Sequence, residues 1–237
     1  YSFNLTVGSK QWEYLRKQFV DSCEKKDKIS HEPFRKHFRD EEKFIEKGSF
    51  FDGYYSSDSD TEWSLNRNRD WANEITKSWK KEANSERIKV PIVVDGEEIF
   101  EGRKTKESID KSRTNENIVV NEFALASAED ITRAVEVAKT DPDGWRKLTV
   151  EQRHEAISKV AVEFRKARAD LIGAMAANTG KVFTEADVEV TEAIDFAEYY
   201  PYSTKVINDL KGIKTEGKGV GVVVSPWNFP VAIPAGG

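Results

Sequence analysis

The sequence predicts an α/β fold: a short hairpin and long amphipathic helices lead into the start of a parallel sheet, behind a helical N-terminal extension. Three observations carry that expectation. Two apolar runs, Ile92-Val93-Val94 and Ile99-Phe100, flank Asp95-Gly96, the favoured hairpin turn. Two helix caps, at Ser127 and Thr149, precede apolar residues at helical spacing. Finally, the β-branched run Val222-Val223-Val224 reads as a buried strand and ends in Ser225-Pro226-Trp227-Asn228-Phe229-Pro230.

Residues 1–90 form the expected helical extension or connector. Trp12, Tyr14, Leu15 and Phe19 sit at roughly helical spacing, Phe34, Phe38, Phe44 and Ile45 mark a second helix, and Trp71, Ile75 and Trp79 a third. These aromatics are expected to pack in a core or dock on a neighbouring domain rather than hold a cofactor. Tyr54 to Asp60, rich in Ser and Asp, reads as a loop or disordered link. Beyond the hairpin, Ile118-Val119-Val120 and Phe123-Ala124-Leu125 could add further strand.

Ser127-Ala128-Glu129-Asp130 is an N-cap with an acidic first turn, opening a helix that Asp141-Pro142-Asp143-Gly144 breaks. Thr149 and Gln152 have capping-box spacing. Behind them Ile157, Val160, Ala161, Phe164, Leu171, Ile172 and Met175 form one stripe, predicting a single long helix that ends at Gly180. A third helix begins at Thr184 and is expected to bury Val188, Ala193, Ile194 and Ala197 before Pro201 stops it. Of its acidic residues Glu185, Asp187, Glu189, Glu192 and Asp195, most are expected on a solvated face.

Bulk composition excludes several classes of function. With 37 basic and 42 acidic residues the formal charge is −5, so the balance offers nothing to nucleic acid. No apolar run approaches the roughly 20 residues of a bilayer span. The single cysteine, Cys23, excludes an internal disulfide and fits a reducing compartment. His31, His37 and His154 follow no metal spacing, and Asp58 and Asp60 lack the rest of a calcium loop, so no metal is expected. Gly217, Gly219 and Gly221 precede the expected strand, whereas a dinucleotide fingerprint follows one; they read as an entry into that strand. The start at Tyr1 and the stop at Gly237, just after a strand and its loop, lead us to expect a fragment of a larger enzyme.

Chemistry concentrates at Asn228. Pro226 and Pro230 restrict the backbone, and Trp227 and Phe229 can exclude water, so the carboxamide is a candidate oxyanion donor. The same residues also suit a proline-rich turn in which Asn228 does no more than make the bend.

The run Ser225 to Pro234, with Phe123-Ala124-Leu125-Ala126-Ser127, Gly180-Lys181, Glu185-Ala186-Asp187, Glu192-Ala193-Ile194-Asp195-Phe196 and Tyr199-Tyr200, resembles the aldehyde dehydrogenase superfamily. The branch is the one that oxidises L-glutamate γ-semialdehyde, the 1-pyrroline-5-carboxylate dehydrogenases. Upstream, Asp60 to Leu65 and Asn68 to Trp71 resemble the connector of bifunctional proline-utilisation proteins. The resemblance implies that residues 91–237 are an incomplete N-terminal part of a cofactor-binding domain with a Rossmann-like sheet. It further implies a small aldehyde as substrate and NAD as cofactor, with Asn228 catalytic as the oxyanion donor. Ser225, Pro226 and Trp227 would contact NAD, and Glu192 and Phe229 the substrate. A homo-oligomer in the cytoplasm, or in the mitochondrial matrix of a eukaryote, is implied as well. In such proteins the nucleophilic Cys and the base Glu lie later, so this chain alone is expected to be inactive. The alternative is a non-catalytic helical module serving assembly or docking.

Overall fold

A computed structural model describes residues 6–30, 32, 35–42, 55–80 and 85–237, in two units, Tyr1–Lys36 and His37–Gly237. In the first, helix α1 (Lys10–Lys25) is capped by Ser9, whose hydroxyl accepts from the Trp12 amide at 3.2 Å. The helical spacing therefore holds, but α1 buries none of its residues, and Tyr14 and Phe19 face solvent rather than a core. Phe34, Phe44, Ile45, His31 and Tyr54 lie outside the described residues. Phe38 precedes a single 3-10 turn, Arg39–Glu41, instead of lying on a helix.

The second unit holds the remaining elements. Helix α2 (Asn66–Trp79) buries Ile75, with Trp71 and Trp79 packed beside it. Strands β1 (Ile88–Val90), β5 (Val119–Ala124) and β4 (Thr105–Ile109) form a sheet in that order. β1 runs parallel to β5 with Lys89 opposite Glu122, and β4 runs antiparallel to it with Glu107 opposite Glu122. A separate hairpin joins β2 (Ile92–Val94) to β3 (Glu97–Ile99). Asp95 and Gly96 turn it with positive φ at both positions, the twist-matched geometry expected of Asp-Gly.

Both caps form, the one at Ser127 as a capping box too. Ser127 and Asp130 bond reciprocally at the start of α3 (Ala128–Thr140), and Thr149 and Gln152 do so at α4 (Val150–Lys166). Asp130 also accepts two bonds from Arg103, at 2.6 and 2.7 Å, tying α3 to the turn after β3. The predicted long helix is two: α4 stops at Lys166 and α5 (Arg168–Thr179) resumes beyond Ala167, whose ψ of 2° breaks the helical path. Gly180 closes α5 in the left-handed conformation, as expected. Asn178 joins α5 to the sheet, accepting from Ser108 of β4 and Asn121 of β5.

Helix α6 (Phe183–Asn208) runs straight through Pro201. Proline leaves the Ala197 carbonyl without its helical donor. Around that gap the rings of Phe196 and Tyr200 stack at 5.1 Å, and Tyr199 meets Tyr55 edge-on at 5.0 Å. α6 packs on α4 and α5 through Ala186, Val190 and Ile194, which join Ile75, Ala161, Ile172 and Met175 in the core. Val188, expected inside, is exposed. Asp187 and Glu189, expected outside, are fully buried.

Asp187 is buried because it is matched. It accepts from the Thr61 amide at 2.6 Å, the Thr61 hydroxyl at 2.7 Å and Arg168 at 2.8 Å. Arg168 and Arg165, on either side of the α4–α5 break, both reach Asp58, at 2.9 and 3.0 Å. Arg165 also bonds buried Glu198, which accepts from Ser158. The segment around Asp58 is thus a loop, as read, but one anchored to three helices rather than a loose link.

One expected element is missing. Val222-Val223-Val224 forms no strand, and Val222 and Val224 are 84% and 87% exposed. A strand needs ladder partners for its amides and carbonyls, and no described strand runs beside these residues. The run is irregular chain on the surface, followed by the Asn228 turn and the short helix α7 (Ala232–Gly236).

Candidate functional site

The Asn228 segment folds as a turn in which the Phe229 amide donates to the Pro226 carbonyl at 3.3 Å, placing Trp227 and Asn228 at its tip. This turn faces the start of α6 across a cleft of about 760 Å³. Trp227, Asn228 and Phe229 form one wall, and Glu185, Val188 and Glu192 of α6 form the other. Thr179, Gly180 and Lys181, from the α5–α6 connection, close the floor.

The structure therefore brings together four residues singled out from the sequence: Glu192, Trp227, Asn228 and Phe229. Ser225 and Pro226 stand just outside the cleft, Ser225 half-buried and Pro226 exposed. Glu192 is half-buried and its i−7 neighbour Glu185 is exposed, so this wall can offer carboxylates to a cationic group. Among the described residues nothing hydrogen-bonds the Asn228 carboxamide. Its N–H donors are available to an oxygen placed in the cleft.

Two residues that the sequence reading did not single out hold the turn in place. The Lys181 ammonium lies 3.0 Å from the Asn228 carbonyl oxygen, 2.5 Å from Glu189 Oε2 and 4.0 Å from the centre of the Phe229 ring. The other oxygen of Glu189 accepts from the Val231 and Ala232 amides at 2.7 and 3.0 Å, at the first turn of α7. A carboxylate at a helix N-terminus satisfies amides that have no partner within the helix. The Lys181 side chain is about nine-tenths buried and that of Glu189 wholly so, which strengthens the contact between the two by excluding water. Sequence spacing could not separate buried Glu189 from its solvated neighbours. The one available signal was its position three residues before Glu192 on the same side of the helix.

The model of the aldehyde dehydrogenase family matches residues 100–237. The chain belongs to that family.

Its relatives include 1-pyrroline-5-carboxylate dehydrogenases. The 1-pyrroline-5-carboxylate dehydrogenase of Staphylococcus saprophyticus is 32% identical over 192 residues, covering 77% of this chain and 36% of that protein. Among solved structures, proline utilization A from Bdellovibrio bacteriovorus, inactivated by N-propargylglycine, aligns with a TM-score of 0.68 at 26% identity. The match covers 77% of this chain and 20% of that one. A 1-pyrroline-5-carboxylate dehydrogenase from Thermus with bound NAD aligns at 0.67 and 25% identity, covering 77% of this chain and 36% of that one. The chain spans about a third of the length of the curated relatives it matches. These likenesses agree with an α/β aldehyde dehydrogenase-like fold for the second unit. No helix among the described residues is long and apolar enough to cross a membrane.

Proposed function

We propose that this chain supplies the N-terminal part of an NAD-dependent dehydrogenase that oxidises L-glutamate γ-semialdehyde to L-glutamate in proline catabolism. The observation that carries the reading is the meeting of Asn228, Phe229 and Glu192 in one cleft, in a chain whose relatives bear the name 1-pyrroline-5-carboxylate dehydrogenase. Asn228 donates its carboxamide N–H to the oxygen that gains charge as the aldehyde carbon is attacked. A donor so placed contributes roughly 3 kcal/mol to the barrier reduction in comparable acyl-transfer enzymes. Phe229 walls the aldehyde chain, and Glu192 faces its ammonium end.

The residues at the lip of the cleft suit a nicotinamide dinucleotide. The Trp227 indole is 66% exposed, and Ser225 offers a half-buried hydroxyl beside the restricted backbone at Pro226. When bound, NAD⁺ supplies the hydride acceptor. Residues 91–237 would form the cofactor-binding part and residues 1–90 a connector. We further propose a homo-oligomer located in the cytoplasm, or in the mitochondrial matrix in a eukaryote, with no nucleic-acid partner.

The test uses the product of the complete gene, assayed by NAD⁺ reduction with L-glutamate γ-semialdehyde. Asn228→Ala is expected to lower kcat by about 10²–10³ while NAD⁺ binding is kept. Unchanged turnover would remove Asn228 from the chemistry, and no turnover in the unmodified protein would overturn the reading itself. One observation favours a non-catalytic assembly module instead: the exposed valines at 222 and 224 are a surface suited to association. A complete gene product that self-associates but oxidises no aldehyde would select that reading.

A further inference from the structure

The Asn228 turn is closed by one backbone hydrogen bond of 3.3 Å, and its tip is exposed to solvent. A turn held so lightly would let the Asn228–Phe229 peptide rotate and swing the carboxamide with it. What prevents this lies across the cleft floor. The Lys181 ammonium holds the carbonyl oxygen of that very peptide at 3.0 Å and covers the face of the next ring at 4.0 Å. Glu189 holds both Lys181 and the two amides that follow, Val231 and Ala232. The Asn228–Phe229 peptide and, further along, the Val231 and Ala232 amides are thereby fixed to Glu189 of α6, the first through the ammonium and the others directly by the carboxylate. Both links are charge-assisted, and the Lys181–Glu189 pair that anchors them is buried.

The geometry points to Lys181 and Glu189 as positioning residues for the Asn228 carboxamide, acting through the backbone of its turn. This rests on the role proposed above for Asn228. Neither side chain meets the reacting atoms in this arrangement: Glu189 is wholly buried, and the Lys181 ammonium is occupied by Glu189 and the Asn228 carbonyl. Their effect is on where the donor points, and its signature is a loss in kcat with substrate affinity left in place.

The sequence offers a direct probe. Asn228-Phe229 is the only Asn-Phe pair in the chain, so ¹³C-carbonyl asparagine combined with ¹⁵N phenylalanine gives one carbonyl–amide NMR correlation, reporting the bond that Lys181 holds. In the 237-residue chain, Lys181→Met is expected to shift that peak while the methyl resonances of core Ile172 and Ile194 stay in place. In the complete gene product the same substitution is expected to lower kcat about tenfold with KM within about twofold, less than the ~10²–10³ for loss of the donor itself. An unmoved peak in a folded chain overturns the proposal. So does a moved peak with kcat unaltered, since the clamp would then serve only the fold. Should Lys181→Met not fold, Glu189→Gln keeps an acceptor for both amides while removing the counter-charge, and the same two readouts decide. Activity lost in Asn228→Ala but kept in Lys181→Met overturns the positioning role alone. Activity kept in both overturns the role of Asn228 and this one with it.

Discussion

Asp187 shows how single residues set the interior of this chain. Its carboxylate, wholly buried, ties the Thr61 backbone and the Arg168 guanidinium together. Burying an ion is costly, and hydrogen bonds that complete its shell offset that cost. Removing the Asp187 carboxylate leaves Arg168 with Asp58 as its remaining carboxylate and the Thr61 amide without an acceptor, so Asp187→Ala is expected to destabilise the second unit by about 1–3 kcal/mol. Urea unfolding followed by circular dichroism measures this; a loss well below ~1 kcal/mol would mean that Asp58 and water suffice for Arg168 and Thr61. Gly173 makes a second case, where two effects oppose each other. Alanine is a better helix former by up to ~1 kcal/mol, but a Cβ at 173 would sit 2.2 Å from Cδ1 of Trp79. Overpacking typically costs ~1–3 kcal/mol, so it should win and Gly173→Ala should destabilise. The cost should shrink when Trp79 is first cut to leucine, and a double-mutant cycle with no coupling would show that the indole simply moves aside.

At the scale of elements, what could be read in advance was what local chemistry decides. The Asp95-Gly96 hairpin, the Ser127 and Thr149 caps and the Gly180 stop are all present, because each depends on residues within a few positions of one another. Thr149→Ala should accordingly cost about 1 kcal/mol in thermal or urea unfolding. Strands β1 and β4 were not legible. Ile88-Lys89-Val90 is too short to show a period, and Thr105 to Ile109 is mostly polar, so only pairing with β5 makes either a strand. The buried acids of α6 were missed for a similar reason: Asp187 and Glu189 share the composition of their solvated neighbours and differ only in meeting Arg168 and Lys181. Within the cleft, Glu192 and the 227–229 turn could be found from sequence, whereas Lys181 and Glu189 needed the fold. The valines at 222 and 224 failed in the opposite direction, since β-propensity cannot create a partner strand. Val224→Lys is therefore expected to change the stability of this chain by no more than ~0.5 kcal/mol. A loss of several kcal/mol would return the run to a buried strand.

For the molecule as a whole, charge placement should bound stability at both ends of the pH scale. The bonds from Arg103 and the Ser127 amide hold the Asp130 carboxyl far below the usual carboxylate range. Burial alone would raise Asp110, but its bonds to Ser112 and Arg113 outweigh that and lower it. In the unfolded chain such groups take up protons near pH 4, before the folded state does. Their stabilisation is thus complete above about pH 4 and is lost as the pH falls toward the depressed folded values. Tyr55 behaves in the opposite sense. Burial first, and then the neighbouring Asp195, push its phenol well above the ordinary tyrosine value. The unfolded chain ionises this phenol near pH 10 while the folded one keeps it neutral, so stability should be full below about pH 10 and fall above it. Urea midpoints measured across pH should then form a plateau with an acid and an alkaline shoulder. Asp130→Asn is expected to lower the plateau and flatten the acid shoulder, and Tyr55→Phe to flatten only the alkaline one. An alkaline shoulder unchanged in Tyr55→Phe would place that loss on other groups, and an acid shoulder unchanged in Asp130→Asn would show that the tie between Arg103 and α3 does not govern unfolding.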